Sequence, residues 1–593
     1  MGMLGIFVVA AIILYAAWRL YGPLLARLLE LDNTRETPAV TQCDHLDYEP
    51  IEPNALLSQH FSAIAAAGPI VGPIVAGIAF GWLPAVLWIL VGAIFVGGVH
   101  DITALVASIR HKARSIAEVV REHMSRRAFL LFLSFVWLAL VYIVVAFTDI
   151  TARAFVGQID IGNGEVVSGG GIASSSLIYL LIPIVMGIVM RYTKLSLGWA
   201  TVIFLPLVGL SVYAGQLIPL DMEKFVTWMG WATTPAQAKA SAIVTWDLLL
   251  LLYCCIASVA PMWLLLQPRG HLGGYFLYVA LIGGAAGLLV GALLGQQPIE
   301  YPAFRGWTAP NGDMIFPILF ITIACGACSG FHALIASGTT SKQLRVETDA
   351  KVVGYGAMLL EALVAILSLA CVMRLAQGDP VLKGGEPNLI YATGLGSFLQ
   401  TFGIPATFAV SFALMAFTTF VYDTLDVCTR LGRYIIQELT GWQGTGGRWF
   451  GTLLSAAAPA FFVTQQVTNM KGEVVPSWKV FWPLFGASNQ LLAALTLLGV
   501  TVWLWQTRRA AWVWIVTGIP TVFMYTMSIW ALVVMTGGTW KQIQAAEKVA
   551  PVSYVILTVS SLLMVLAILM LLEAALALWN SRQKPALPAV APA

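Results

Sequence analysis

Ionisable side chains interrupt several of the chain's longest apolar runs. His60 opens the stretch HFSAIAAAGPIVGPIVAG (60–77), two residues before Ser62, and His332 lies within CSGFHALIASGTTSKQL (328–344). Asp247 and Glu361 are single acids in apolar surroundings, and Asp101 follows His100 and the pair Gly97-Gly98. A charge in lipid is costly, so such groups mark substrate or proton paths by default. A histidine that titrates near neutral pH can relay a proton. Each group also has a plainer reading, as a histidine bonded to a carbonyl or an acid paired with an unseen base. In YDTLDVCTRLGRYIIQE (422–438), Asp426 and Arg430 have i,i+4 spacing, as do Asp149 and Arg153. Asp423, with Thr418 and Thr419, faces either a cavity or a salt-bridge cluster that acts as gate or scaffold.

The backbone of 60–77 has chemistry of its own. Gly68-Pro69 and Gly72-Pro73 interrupt it, and a proline lacks its N–H and clashes with the carbonyl four residues back. In lipid such a break persists only where it is buried in protein or lines a cavity. Freed carbonyls and a half-helix N-terminus can then bind ions and anionic groups. The segment is therefore expected to form one wall of a transport site, with His60, Ser62, Gly68, Pro69 and Gly72 toward substrate.

Positioning these groups requires a membrane-embedded bundle. The chain has 593 residues, 59% hydrophobic and 10% charged, with mean hydropathy +0.84. Soluble domains carry about 25% charged residues, so the class is an all-α polytopic membrane protein. A net charge of +3 does not suggest nucleic acid. Seven cysteines, mostly in apolar runs, make no disulfide framework, and Cys325-Gly-Ala-Cys328 has no second pair to complete a metal site. Fifteen stretches of membrane-spanning length follow one another, from 4–22 to 552–579. Lys and Arg concentrate after every second one, 22 of 32 on one side. The positive-inside rule then places the N-terminus outside, the 110–127 loop in the cytoplasm and the C-terminus inside. The tail after Asn580, ending KPALPAVAPA, is expected to be disordered.

YGPLLARLLELDNTRETPAV (21–40), LDYEP (46–50), HFSAIAAAGPIVGPIVAG (60–77), LLLQPR (264–269), PAFRGW (302–307), CSGFHALIASGTTSKQL (328–344), YDTLDVCTRLGRYIIQE (422–438) and WPLFGASNQLLAAL (482–495) spread over nearly the whole chain. In these stretches the sequence resembles the carbon starvation protein A (CstA) family of bacterial inner-membrane transporters. The resemblance implies uptake of peptides or pyruvate and a LeuT/APC-like core of two inverted five-helix repeats with interrupted first and sixth helices.

On that frame, 1–59 is a peripheral helix and cytoplasmic loop, 60–215 the first repeat, 241–424 the second, and 425–580 peripheral helices. The span 241–267, with Ser258-Val-Ala-Pro261, is the expected interrupted counterpart of 60–80 and adds Ser258 to the substrate residues. The span 314–338 would be an eighth core helix whose hydroxyl-rich end faces the break. Carbonyls near Ala65, hydroxyls of Ser337, Thr339 and Thr340, and the ionisable His332 and Asp423 are the expected coupling groups. Ser337 and Thr339 equally suit back-bonding to helix carbonyls, with Gly338 as cap. Asn489 and Gln490 in FGASNQ read as interhelical glue or substrate contacts.

No Walker motif, HExxH spacing or nucleophile elbow appears, so no catalytic residue, metal ligand or cofactor is expected beyond a coupling ion, H+ or Na+. The expected function is secondary active import by alternating access, with a small-molecule substrate and the lipid bilayer as partners. An integral-membrane enzyme is the competing class. The sequence sets no oligomeric state.

Overall fold

The computed structural model describes residues 2–44, 47–162, 165–465, 475–545, 549 and 551–582; the tail predicted to be disordered lies outside them beyond Arg582, as does Leu46 of the LDYEP motif. Among the described residues the chain is mostly helical, with one antiparallel hairpin of Gln158–Gly162 with Glu165–Ser168. The principal helices are α1 (Met3–Leu28), α2 (Pro53–Ile64), α3 (Gly68–Phe80), α4 (Trp82–Arg110), α5 (Ile116–His123), α6 (Arg126–Ala154), α7 (Gly169–Tyr192) and α8 (Leu197–Leu217). They continue with α9 (Pro235–Val259), α10 (Leu266–Leu293), α11 (Ile315–Thr322), α12 (Gly330–Gly338), α13 (Glu347–Met373) and α14 (Pro387–Gln400). The last five are α15 (Ala406–Thr440), α16 (Thr445–Val463), α17 (Ser477–Arg508), α18 (Trp514–Ala545) and α19 (Pro551–Ser581).

Among the described residues, twelve helices are each long and apolar enough to cross a membrane, and the bent pair α2–α3 makes thirteen. Fifteen had been expected. The difference lies in 314–338, which is broken into the short α11 and α12, and in 448–464, within the 19-residue α16. The 14-residue α14 was not anticipated; it packs on α13 and α15. Burial separates the helices into two groups. The most apolar window of α17 is wholly buried and that of α15 94% buried, whereas only 28% is buried in α1 and α19. The outer helices can stay apolar on their exposed faces because lipid, not water, is their solvent.

The first break falls where the prolines put it. Pro69 can donate nothing to the carbonyl of Ala65, four residues back, so α2 stops at Ile64 and α3 restarts at Gly68 with a 45° bend. Gly72 and Pro73 lie inside α3, so of the two Gly-Pro interruptions only the one at Gly68 begins a half-helix.

The second break lies in 323–329, between α11 and α12, and not in 241–267. The helix α9 runs unbroken to Val259, so the Ser258–Pro261 signal ends that helix instead of interrupting it. Two side chains of α17 answer backbone groups on either side of the gap. Gln490 Nε2 donates to the Phe320 carbonyl (2.6 Å), and Asn489 Oδ1 accepts from the Phe331 N–H (2.9 Å). Asn489 and Gln490 are thus interhelical ties, the first of their two expected roles.

The two breaks lie against each other. A Cβ on Gly72 would stand 2.5 Å from the Thr322 carbonyl oxygen, and one on Gly68 would run into Cys325 Sγ. Glycine is required at Gly72 because backbone meets backbone there, and at Gly68 because the Cys325 side chain fills the space a Cβ would take.

Candidate functional site

A buried ion cluster ties α2 to α10 and α15. The Ser62 hydroxyl donates to Asp423, whose Oδ1 lies 2.6 Å from Arg269 Nε. Arg269 also pairs with Asp426 and donates to the Tyr253 hydroxyl and to the Tyr422 carbonyl (3.2 Å). Tyr253 in turn donates to Asp426 (2.8 Å). All three charged side chains are at most 3% exposed, and two acids against one base leave an excess negative charge if both acids are ionised. Room for the cluster comes from Gly273, where a Cβ would stand 2.5 Å from Asp423 Oδ2 and 2.7 Å from Ser62 Oγ.

Asp426 was expected to pair with Arg430. Arg430 instead donates to the carbonyls of Ala257 and Ala260 at the end of α9 (2.8 and 2.6 Å), and Arg269 takes its place.

A second buried cluster joins α4, α12 and α13. His332 Nδ1 lies 2.8 Å from Asp101 Oδ2, and His332 Nε2 lies 3.1 Å from Glu361 Oε2, close but not aligned as a hydrogen bond. The other oxygen of Asp101 is 2.7 Å from His100 Nδ1. All four side chains are fully buried. An ionised carboxylate only accepts, so His332, with a carboxylate at each ring nitrogen, and Glu361 are placed to hold a proton on either partner.

His60, on α2 one turn before the first break, faces the residues that follow α12. Its Nδ1 shares a 2.8 Å hydrogen bond with Thr340 Oγ1, while its buried Nε2 has no hydrogen-bond partner. A cavity of about 10 Å³ lies beside it, lined by His60, Arg269, Thr339, Thr340, Asp423 and Val427 among others. That is room for about one water. His60, Thr339, Thr340 and Asp423, singled out from sequence, thus meet around one space with Arg269, which was not.

A larger cavity of about 660 Å³ enters from the Arg-rich end and is lined by Arg114, Arg121, Ser337, Gly338, Lys342 and Leu431, among others. The step from Gly338 to Thr339 and the turn from Val427 to Leu431 separate the two cavities. Lys342 sits over the rings of Tyr48 (5.4 Å) and Tyr434 (4.6 Å) at this mouth.

Other expected site residues lie elsewhere. Ser258 bonds Thr452 Oγ1 (3.1 Å) where α9 packs on α16, so it does not join the His60 cavity. Gly68 and Gly72 press on the second break, and neither they nor Pro69 nor Ala65 lines the small cavity. Ser337 and Thr339 donate to the carbonyls of Ala333 (2.7 Å) and Ile335 (3.0 Å), one turn back on their own helix. The cap of α12 is Thr339; Gly338 is small because a Cβ there would meet Leu431 Cδ2 at 2.3 Å. Asp149 pairs with Arg153 (3.0 Å), as its spacing suggested.

The fold and these buried charges define the class, a polytopic membrane protein with ionisable groups held deep in a helical bundle. The chain belongs to the carbon starvation protein CstA family, whose model matches residues 3–383 and 378–531. It is 32% identical over 584 residues to the peptide transporter CstA of Campylobacter jejuni, covering 88% of this chain and 79% of that one. It is also 32% identical over 608 residues to the pyruvate/proton symporter BtsT of Escherichia coli K12, covering 88% and 80%. Among solved structures, a manganese transporter of Eremococcus coleocola matches with TM-score 0.46 and 12% identity, over 91% of this chain and 99% of that one. The curated relatives are transporters, and the chain is not an enzyme.

Proposed function

We propose that this chain imports small peptides or pyruvate across the bacterial inner membrane by alternating access, coupled to a proton. The observation that carries the reading is the small buried-walled cavity bounded by His60, Thr340, Asp423 and Arg269, with the His332 cluster on the helix that supplies part of its wall. His60, whose Nε2 has no partner, and Arg269, once Asp423 or Asp426 takes a proton and frees it, suit a carboxylate, which peptides and pyruvate share. The peptide transporter and pyruvate/proton symporter among the relatives support the same substrates. A space for one water cannot admit either, so in this reading the structure is occluded and the Gly338–Thr339 step parts from α15 to open the large cavity.

In this reading the N-terminus is outside and the Arg-rich cavity faces the cytoplasm, on the clustering of Lys and Arg in the 110–127 loop. The repeats 60–215 and 241–424 belong to this reading, with the break at 323–329 as the second hinge. Ser337 and Thr339 give their hydrogens to helix carbonyls but keep their oxygen lone pairs, so Na+ stays the alternative coupling ion.

Proteoliposomes loaded at set pH test the reading. Labelled pyruvate or a dipeptide should accumulate with an inward proton gradient and not with an inward Na+ gradient. Accumulation driven by Na+ alone overturns the proton, and uptake of neither substrate overturns the substrate class.

A further inference from the structure

At the Arg-rich end of the bundle, His111 follows α4 and His123 closes α5, with Nε2 atoms 3.0 Å apart. Both residues are buried, 4% and 7% exposed. Their opposite nitrogens are already committed. His111 Nδ1 lies 2.6 Å from the Ala107 carbonyl, which can only accept, so this nitrogen carries the hydrogen. His123 Nδ1 lies 2.9 Å from Gln506 Oε1, and the orientation of that amide is set because its Nε2 donates to the His123 carbonyl (3.0 Å). In their neutral forms both imidazoles therefore turn bare Nε2 lone pairs toward each other.

Two facing lone pairs at this distance repel unless something positive lies between them. A proton would make one ring cationic in a buried place, where an unpaired charge is costly. The carboxylate of the exposed Glu122 completes the group, with Oε2 3.9 Å from His111 Nε2 and all three candidate ligand atoms within 4.8 Å of one another.

We infer that His111, His123 and Glu122 form a binding site for a divalent transition-metal cation of the zinc type. Two imidazoles and a carboxylate with one position open to solvent make a common zinc ligand set. Tetrahedral Zn–N bonds of about 2.05 Å need nitrogens roughly 3.3 Å apart, so the pair opens by only a few tenths of an ångström. The Ala107 carbonyl and Gln506 are the outer partners that orient metal-bound histidines. Ala113, Arg114, Ser115, Ile116, Ala117, Glu118 and Arg121 of the intervening segment wall the 660 Å³ cavity. A cation here ties that wall to α17 through Gln506.

The test uses the full chain in detergent, stripped with a chelator and titrated with Zn2+ by calorimetry, and with Co2+ followed by its visible absorption. One equivalent per chain is expected, with the intense visible bands of four-coordinate Co2+. His111→Asn with His123→Asn should abolish both signals. Glu122→Gln changes only an exposed side chain, so it should keep the unfolding temperature while weakening the metal by tenfold or more. Equal Zn2+ binding in the double variant, undiminished binding in Glu122→Gln, or no binding with a proton shared between the two rings by histidine NMR would each overturn the site.

Discussion

Arg269 Nε and Asp423 Oδ1 lie 2.6 Å apart in the interior, joining the start of α10 to the middle of α15 across 154 residues of sequence. Asp426 shares the same guanidinium. The three charges form one unit, and their unequal numbers decide how it fails.

Arg269→Met leaves two acids without their base, whereas Asp423→Asn still leaves Arg269 with Asp426. Removing the base of a buried pair costs about 3–5 kcal/mol, and Asp423→Asn should cost clearly less. Thermal unfolding followed by tryptophan fluorescence measures both. Equal losses would show that Asp426 is not a working partner.

Glu361→Gln keeps the shape at His332 but cannot exchange a proton with it. Proton-driven accumulation should fall to the level of equilibration, while exchange of labelled for unlabelled substrate across the same liposomes continues. Full accumulation in this variant would remove the His332–Glu361 pair from coupling.

The bond between His60 and Thr340 lies in the wall of the small cavity. His60→Ala and Thr340→Val each remove one partner, and a lost buried hydrogen bond of about 1.4 kcal/mol corresponds to roughly a tenfold rise in KM. Initial uptake rates over a substrate series give this value. The double variant should cost less than the two single effects added together, because both break the same bond.

Gly72→Ala would place a methyl 2.5 Å from the Thr322 carbonyl, while Gly209 in α8 has nothing within 4 Å of its Cβ position. Overpacking costs about 1–3 kcal/mol, and relieving a helical glycine gains up to about 1 kcal/mol. Unfolding temperatures should therefore fall for Gly72→Ala and hold or rise for Gly209→Ala. The same direction in both would mean that the two breaks are not in contact.

The first break was legible because its cause is local: Pro69 acts on Ala65 within one helical turn. The second was not, because no proline marks 323–329. Its stabilisers, Asn489 and Gln490, come from α17, 158 to 170 residues further along. Ser258-Val-Ala-Pro261 misled for the converse reason, since a proline signal is the same whether a helix bends or ends. Arg269 escaped notice because it stood only as the last residue of LLLQPR, and packing alone shows it enclosed by acids. The histidines of the proposed metal site are twelve residues apart, one just past α4 and one at the end of α5, a separation with no local motif to announce it.

Composition and hydropathy by themselves determined that this is a helical membrane protein, because lipid permits few other ways to satisfy its backbone. Spaced motifs carried the family, and single residues such as His60, Thr340 and Asp423 could be singled out because polar groups are conspicuous in apolar runs. Which of them meet was decided only by the tertiary structure. Pairing of buried charges depends on distances between helices, and those are set by small residues such as Gly72 and Gly273 at contacts far apart in the chain.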